Sequence, residues 1–340
     1  MNLLIRADAT VQIGTGHVMR CLALAQAWSD AGGRAVLLSA PLPPALETRL
    51  GAEGLAVVAL QAAPGSPEDA AETARQAQER GAEWVVADGY HFEVGFGRAL
   101  KEAGHKILVL DDNGGADTSD ADVVLNQNVH ARPEWYGESP GRLLLGPRYV
   151  LLRREFRTWR GWQRETPEIA HKALVTLGGS DPDNVTRKVV EALSLVGPER
   201  LDATIVIGGG NPHRAALEAE ASRLGVSARF VTNPPDLPAL MADADLAVSA
   251  AGSTVWELAF LGVPSLLVVT AANQRGIAQG MDAGGAARSL GEAGDLTAGG
   301  LAQAVTALRL DPARRAEMSR RAREIVDGSG AARVLEAMRF

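Results

Sequence analysis

A histidine directly follows Gly14-Thr15-Gly16, where a short apolar run gives way to an amphipathic segment. Glycines let a backbone approach a ligand closely, and a helix start supplies unpaired N–H groups and the positive end of a dipole. The same dipole disfavours imidazolium, so His17 is expected as a neutral ring able to accept a proton. A capping or core histidine is the plain alternative, but the Gly-rich junction favours general-base work. As a dinucleotide fingerprint the loop is poor. The third glycine of G-x-G-x-x-G is missing, and no Lys-Ser/Thr pair follows as a P-loop requires. Cys21 lies one turn after His17 on the same helix face. A Cys–His nucleophile pair is conceivable there, and simple packing is expected.

Three further strand-to-helix junctions carry small residues. Leu177-Gly178-Gly179-Ser180-Asp181-Pro182-Asp183-Asn184 reads as a glycine turn into a helix, with an Asx cap as its plain explanation. Ile207-Gly208-Gly209-Gly210-Asn211-Pro212 reads as a flexible turn. The run Ser249-Ala250-Ala251-Gly252-Ser253-Thr254-Val255-Trp256-Glu257 ends a strand in small residues, then opens a helix with two hydroxyls and a carboxylate. Its N–H groups with Ser253 and Thr254 suit a pyrophosphate, and Glu257 suits a ribose diol. A capping box that uses Glu257 competes with that reading.

Carboxylate pairs need a control. Asp120-Ala121-Asp122, Asp181-Pro182-Asp183 and Asp243-Ala244-Asp245 all match the D-x-D pattern of metal-dependent glycosyl transfer. Three matches in one chain point to chance, so no metal site is expected. Asp111-Asp112 follows a strand and is better placed, although a turn-forming pair explains it equally well.

The elements that must position these residues alternate. Strands are expected at Leu3–Arg6, Arg34–Ser39, Val57–Leu60, Trp84–Ala87, Ile107–Leu110 and Val123–Leu125. Helices fall between them at His17–Ala31, Pro44–Gly54, Pro67–Arg80 and Phe92–Ala103. After an Arg- and Trp-rich stretch without a period, strands resume at Ala173–Leu177, Thr204–Ile207, Ala228–Val231, Leu246–Val248 and Ser265–Val269. Helices begin near Asn184 and Pro212, span Leu237–Ala242, Thr254–Leu261 and Gln274–Ala283, and close with Leu301–Leu308 and Pro312–Asp327. Apolar runs too continuous for a one-sided sheet imply parallel strands covered on both faces. The expected architecture is α/β: two Rossmann-like, doubly wound parallel-sheet domains facing a cleft, with ligands at the C-terminal strand ends. The boundaries are 1–147 for the domain with the catalytic loop, 148–171 for a connection, and 172–340 for a nucleotide-binding domain whose last helix packs back on the first.

Composition narrows the class. The 340 residues are 46% hydrophobic and 22% charged, enough for buried cores. A net charge of −7, from 34 basic and 41 acidic residues, gives no broad basic stripe for nucleic acid. One cysteine excludes an intramolecular disulfide framework and a Cys-cluster zinc site. The opening MNLLIRADAT lacks a signal core, and no apolar run approaches the ~18 residues of a membrane span. A cytoplasmic monomer is expected.

The stretches Arg6-Ala7-Asp8-Ala9 with Ile13-Gly14-Thr15-Gly16-His17-Val18-Met19-Arg20-Cys21-Leu22, then Asp88-Gly89-Tyr90, Asp111-Asp112 and Leu125-Asn126-Gln127-Asn128, form one set. It continues with Tyr149 to Phe156, Leu177 to Asp181, and Ser249 to Glu257. Together these stretches resemble the UDP-2,4-diacetamido-2,4,6-trideoxy-β-L-altropyranose hydrolase family of pseudaminic acid biosynthesis, related to spore-coat polysaccharide proteins. The last block is shared with many nucleotide-sugar glycosyltransferases. The resemblance implies a glycosyltransferase-B fold and a metal-independent reaction without cofactor, with a small-molecule UDP-sugar as the partner. It implies His17 as general base and Tyr90 as the residue that places the water. Substrate contacts carried over are Gly14, Gly16, Arg20, Gly178, Gly179, Ser180, Ser249, Gly252, Ser253, Thr254, Glu257, Asn273 and Gln274. Gly89 stands where the family often has histidine, which leaves the sugar open. Competing functions are a glycosyltransferase with an alcohol acceptor, a hydrolysing epimerase, and a non-catalytic nucleotide-sugar-binding protein.

Overall fold

The computed structural model describes residues 1–10, 14–92, 94–137, 141–179, 181–196 and 201–339. The chain forms two compact units, Met1–Arg157 with Gly328–Phe340, and Thr158–Asp327. The division at Arg157/Thr158 falls inside the stretch expected as a connection.

In the first unit the order is β1 (Asn2–Ala7), α1 (Gly16–Asp30), β2 (Arg34–Ser39), α2 (Pro44–Ala52), β3 (Ala56–Ala59) and α3 (Pro67–Glu79). Then come β4 (Ala82–Asp88), α4 (Phe96–Glu102), β5 (Lys106–Leu110), β6 (Val123–Asn126), β7 (Arg142–Leu145) and the single turn α5 (Arg154–Arg157). The seven strands pair in parallel in the order β3-β2-β1-β4-β5-β6-β7. Side chains of a strand alternate between faces, and both faces here are covered. On one face Leu3 and Ile5 of β1 pack with Cys21, Leu22 and Leu24 of α1. On the other Leu4 packs with Ala70 and Ala77 of α3 and Leu100 of α4. That double cover is why β1, β4 and β5 read as unbroken apolar runs.

The second unit runs β8 (Lys172–Thr176), α6 (Val185–Leu195), β9 (Asp202–Ile207), α7 (Arg214–Leu224), β10 (Ala228–Thr232), α8 (Leu237–Asp243) and β11 (Leu246–Ala250). It continues with α9 (Thr254–Phe260), β12 (Ser265–Val269), α10 (Arg275–Ala283), β13 (Arg288–Glu292), α11 (Ala298–Arg309) and α12 (Pro312–Ile325). Its six parallel strands are ordered β10-β9-β8-β11-β12-β13, the doubly wound order. Arginines fasten the segment that enters this unit. Arg309 Nε donates to the Ala170 carbonyl, Arg315 Nη2 to those of Pro167 and Glu168, and Arg323 Nη2 to that of Trp162. The last helix, α13 (Gly330–Ala337), belongs to the first unit, where Val334, Leu335 and Met338 share a core with Leu3 and Leu22.

Several elements depart from expectation, among them α13, which was not expected as a helix beyond Pro312–Asp327. β7 and β13 were not expected as strands. Both are sheet edges, where one side needs no partner and the apolar run shortens. Helix α4 starts at Phe96 rather than Phe92 because Gly95 takes φ +99°, a left-handed value that begins no helix. Phe92 packs instead on the His91 ring and beneath the Arg6 guanidinium.

Candidate active site

A doubly wound sheet leaves a crevice where adjacent strands send their connections to opposite sides. In the first unit that point lies between β1 and β4. The junction after β1 delivers Gly14, Gly16 and His17, and the junction after β4 delivers Asp88, Gly89 and Tyr90. Gly14 adopts φ +77°, and its amide donates to the Thr10 carbonyl at 2.8 Å, turning the chain into α1. Gly89 is required for a different reason. A Cβ there would lie 2.7 Å from the His91 ring, which fills the space beside it.

His17 is 6% exposed, and its Nδ1 lies 2.5 Å from Asp88 Oδ1. A carboxylate in its charged form only accepts, so Nδ1 carries the proton and Nε2 is the basic nitrogen of the ring. Arg20, one turn along α1, donates Nε to Asp88 Oδ2 at 2.7 Å and Nη2 to Asp88 Oδ1 at 2.6 Å. Its Nη1 reaches Asp112 Oδ1 at 2.6 Å. Asp112 Oδ2 accepts from the Tyr90 phenol at 2.7 Å, and Oδ1 also accepts from Asn128 Nδ2 at 2.9 Å. The His17 and Tyr90 rings meet edge to face, with centroids 4.8 Å apart. One histidine, one tyrosine and two carboxylates are thus joined through one guanidinium.

Burial opposes the charge on Asp88, but Arg20 first and His17 second outweigh it and hold the carboxyl well below the usual carboxylate range. Asp112 is held low in the same way, burial opposing and Arg20 prevailing. A carboxylate with a lowered folded value stabilises the fold above its unfolded value of about 4, and that support is lost as pH falls below it. The urea midpoint of the wild type is therefore expected to fall as pH drops below about 4, more steeply than in Asp88→Asn. Equal slopes would remove Asp88 from this linkage.

Cys21 is fully buried, with Sγ 3.4 Å from Asp88 Oδ2. Burial, and then that carboxylate, push its thiol up, so it packs and does not attack. Cys21→Ala is expected to cost about 1 kcal/mol in urea unfolding and to leave turnover per folded molecule unchanged.

In the second unit the strand order turns between β8 and β11, so the junctions after these strands are neighbours. Gly252 and Thr254 are half-buried and Ser253 is exposed at the tip after β11. A Cβ on Gly252 would lie 3.6 Å from Gln274 Nε2, which brings Gln274 to the same tip. The oxygen of Gln274 is held by Thr270 through its amide at 3.0 Å and its hydroxyl at 3.1 Å. Asn273 is exposed beside it, and Glu257 is half-buried in the first turn of α9. Ser253 occupies the N-cap position of α9 without a side-chain cap bond.

Ser249 is fully buried and spends its hydroxyl on the Ala250 carbonyl, since it points inward from a strand covered on both faces. After β8, Gly178 is exposed and Gly179 half-buried, while Ser180 lies outside the described residues. The start of α6 is closed by Asp181, which accepts from the Val185 and Thr186 amides at 2.8 and 2.9 Å, so the Asx-type cap is what forms there. Arg20, expected at the substrate, has its fork turned onto two carboxylates.

The D-x-D aspartates also have local partners. Asp122 takes the Ile107 amide and Lys101, Asp243 takes Lys172, and Asp245 takes the His171 and Lys172 amides. Among the described residues no group of three or more His, Cys, Asp or Glu is arranged to hold a metal ion. The adjacent pair after β5 divides its work. Asp111 makes a turn, accepting from the Gly114 amide and the Tyr136 hydroxyl, while Asp112 faces Arg20 and Tyr90. Asp88, Asp112 and Asn128 were not expected as site residues. The available signal was that each stands at or just past the C-terminal end of a parallel strand.

Residues 173–334 match the glycosyltransferase family 28 C-terminal domain. Over 280 residues the chain is 25% identical to the uncharacterized protein MJ1062 of Methanocaldococcus jannaschii, covering 79% of this chain and 55% of that one. It thus spans little more than half of that relative's length. It is 27% identical over 237 residues to the spore coat polysaccharide biosynthesis protein SpsG of Bacillus subtilis, covering 68% of this chain and 69% of that one. It is 26% identical over 265 residues to the UDP-2,4-diacetamido-2,4,6-trideoxy-beta-L-altropyranose hydrolase of Campylobacter jejuni, covering 77% and 89%. In fold it is similar to MurG of Acinetobacter baumannii, with a TM-score of 0.69, 19% identity, and coverage of 100% of this chain and 99% of that one. The Anabaena protein HepE, solved with UDP and glucose, gives a TM-score of 0.64 at 16% identity, with coverage of 100% and 99%. Among the described residues no helix is long and apolar enough to cross a membrane. The chain is an α/β protein of glycosyltransferase-B fold, similar along most of its length to the spore-coat protein and the altropyranose hydrolase, with a match to the glycosyltransferase family 28 C-terminal domain.

Proposed function

We propose that this protein is a UDP-sugar hydrolase in which His17, oriented by Asp88, takes the proton from a water attacking the anomeric carbon. The coarser class, a nucleotide-sugar-processing enzyme, is what family and fold support. The observation that carries the finer reading is the buried Nδ1–Asp88 bond, which leaves Nε2 as the base. Water oxygen bonds to the anomeric carbon as the bond to the diphosphate oxygen breaks. The proton passes to His17 Nε2, and the electron pair departs on UDP. Tyr90, whose phenolic proton is committed to Asp112, offers its oxygen to orient the water. The proposed substrate is UDP-2,4-diacetamido-2,4,6-trideoxy-β-L-altropyranose, by similarity to the Campylobacter jejuni hydrolase, and a role in pseudaminic acid synthesis is part of the same proposal.

We assign the nucleotide to the second unit, at Gly252, Ser253, Thr254 and Gln274, with Glu257 on the ribose diol and Gly178 and Gly179 alongside. Glu257→Ala is expected to weaken UDP binding by about 1.5–3 kcal/mol, the worth of a hydrogen bond to a charged group. Calorimetry that finds UDP affinity unchanged in the folded variant would end this assignment.

The family 28 match favours a second reading, sugar transfer to an alcohol. Mass spectrometry of products from a panel of UDP-diacetamido sugars, with and without alcohols, separates the two. Free sugar and UDP formed without an alcohol support the hydrolase, whereas a glycoside formed only with one supports the transferase.

A further inference from the structure

Arg20 is 8% exposed, three of its guanidinium nitrogens donate to carboxylate oxygens of Asp88 and Asp112, and Nη2 also lies 3.2 Å from His17 Nδ1. Those two carboxylates come from different strands, Asp88 from the end of β4 and Asp112 from just beyond β5. One holds the His17 ring and the other holds the Tyr90 phenol. A planar fork fixes its partners in angle as well as distance, which an ammonium cannot do. It also makes Arg20 a poor ligand for an added phosphate, which would have to displace a buried carboxylate.

We infer that Arg20 is a positioning residue, a buried node that locks the base-orienting carboxylate and the tyrosine-orienting carboxylate into one rigid unit, and not a contact for the nucleotide. Its effect on turnover rests on the hydrolase reading above, while its effect on the His17 ring does not. Removing the fork frees Asp88 to turn, and with it the hydrogen bond that keeps the ring in one tautomer. Removing Asp112 has the same consequence at one remove, because Asp112 bonds Arg20 and not His17.

The experiment uses the full chain with ¹⁵N-labelled histidine, in which ring resonances distinguish the protonated from the bare nitrogen. The His17 signal is identified by its loss in His17→Asn. Wild type is expected in one tautomer with the proton on Nδ1. Arg20→Lys is expected to mix the tautomers, to keep UDP affinity by calorimetry, and to lower the rate of UDP release about 10²-fold, the scale of a 1 Å misplacement. Should that variant fail to fold, Asp112→Asn is expected to mix the tautomers as well. A His17 ring that stays in one tautomer in the folded variant overturns the proposal. So does a loss of UDP affinity with turnover retained, which would make Arg20 an anion contact. A wild type that releases UDP from no UDP-sugar defeats the hydrolase reading alone, and the tautomer measurement still decides the role of Arg20.

Discussion

His17→Asn is expected to fold, to bind UDP as the wild type does, and to lose turnover by about 10²–10⁴, the usual worth of a general base. Asparagine is the informative replacement because its amide N–H can still donate to Asp88, which is fully buried and would otherwise lose a partner. The variant therefore separates proton transfer from packing. Initial rates of UDP release, taken with the melting temperature and UDP affinity of the same preparation, check it. A His17→Asn protein with near-normal turnover removes the mechanism. One that melts early but works normally per folded molecule makes the histidine structural.

The second large effect is expected at Asp88. Asp88→Asn keeps the shape of the side chain and removes the charge that fixes the proton on Nδ1. The amide can then offer an N–H to Nδ1, which places the ring proton on Nε2 and leaves no base facing the water. Turnover is expected to fall about 10²–10⁴-fold, as for loss of the base itself. Stability falls as well, by up to about 3–5 kcal/mol, because Arg20 loses Asp88, the fully buried one of its two counter-ions. The decisive check is the double variant His17→Asn/Asp88→Asn. Residues that act as one unit are not additive, so the double variant is expected to be no slower than the slower single variant. Multiplying losses would mean that Asp88 serves the reaction independently of His17.

The strands of both sheets were legible where they are buried on both faces. Leu3–Arg6 and Ser265–Val269 show it, since a covered strand has to be apolar throughout. The edge strands β7 and β13 were not, although the other two edges, β3 and β10, were. Arg288–Glu292 carries two charged ends and a glycine because it pairs on one side only. His17 was legible because a histidine after G-x-G at a strand-to-helix junction is a local signal. Its partner was not, because the pairing of Asp88 with a residue 71 positions earlier follows from β4 lying beside β1, and strand order is not written in any window. Asp112 was hidden by its neighbour, since two adjacent aspartates read as a turn and only Asp111 makes one. Arg20, carried over as a substrate contact, meets two carboxylates of the protein itself, a pairing that likewise depends on strand order.

Water is proposed to attack carbon, and the oxygen isotope in the released nucleotide tests that most directly. The enzyme is incubated with UDP-2,4-diacetamido-2,4,6-trideoxy-β-L-altropyranose in H₂¹⁸O without any alcohol acceptor, and the UDP is analysed at once by mass spectrometry. UDP is expected to accumulate, to depend on His17, and to carry no ¹⁸O, because the bond broken lies between the anomeric carbon and the diphosphate oxygen. UDP that carries ¹⁸O would mean attack at phosphorus, and UDP that appears only once an alcohol is added would mean transfer. Either result contradicts hydrolysis at the anomeric carbon.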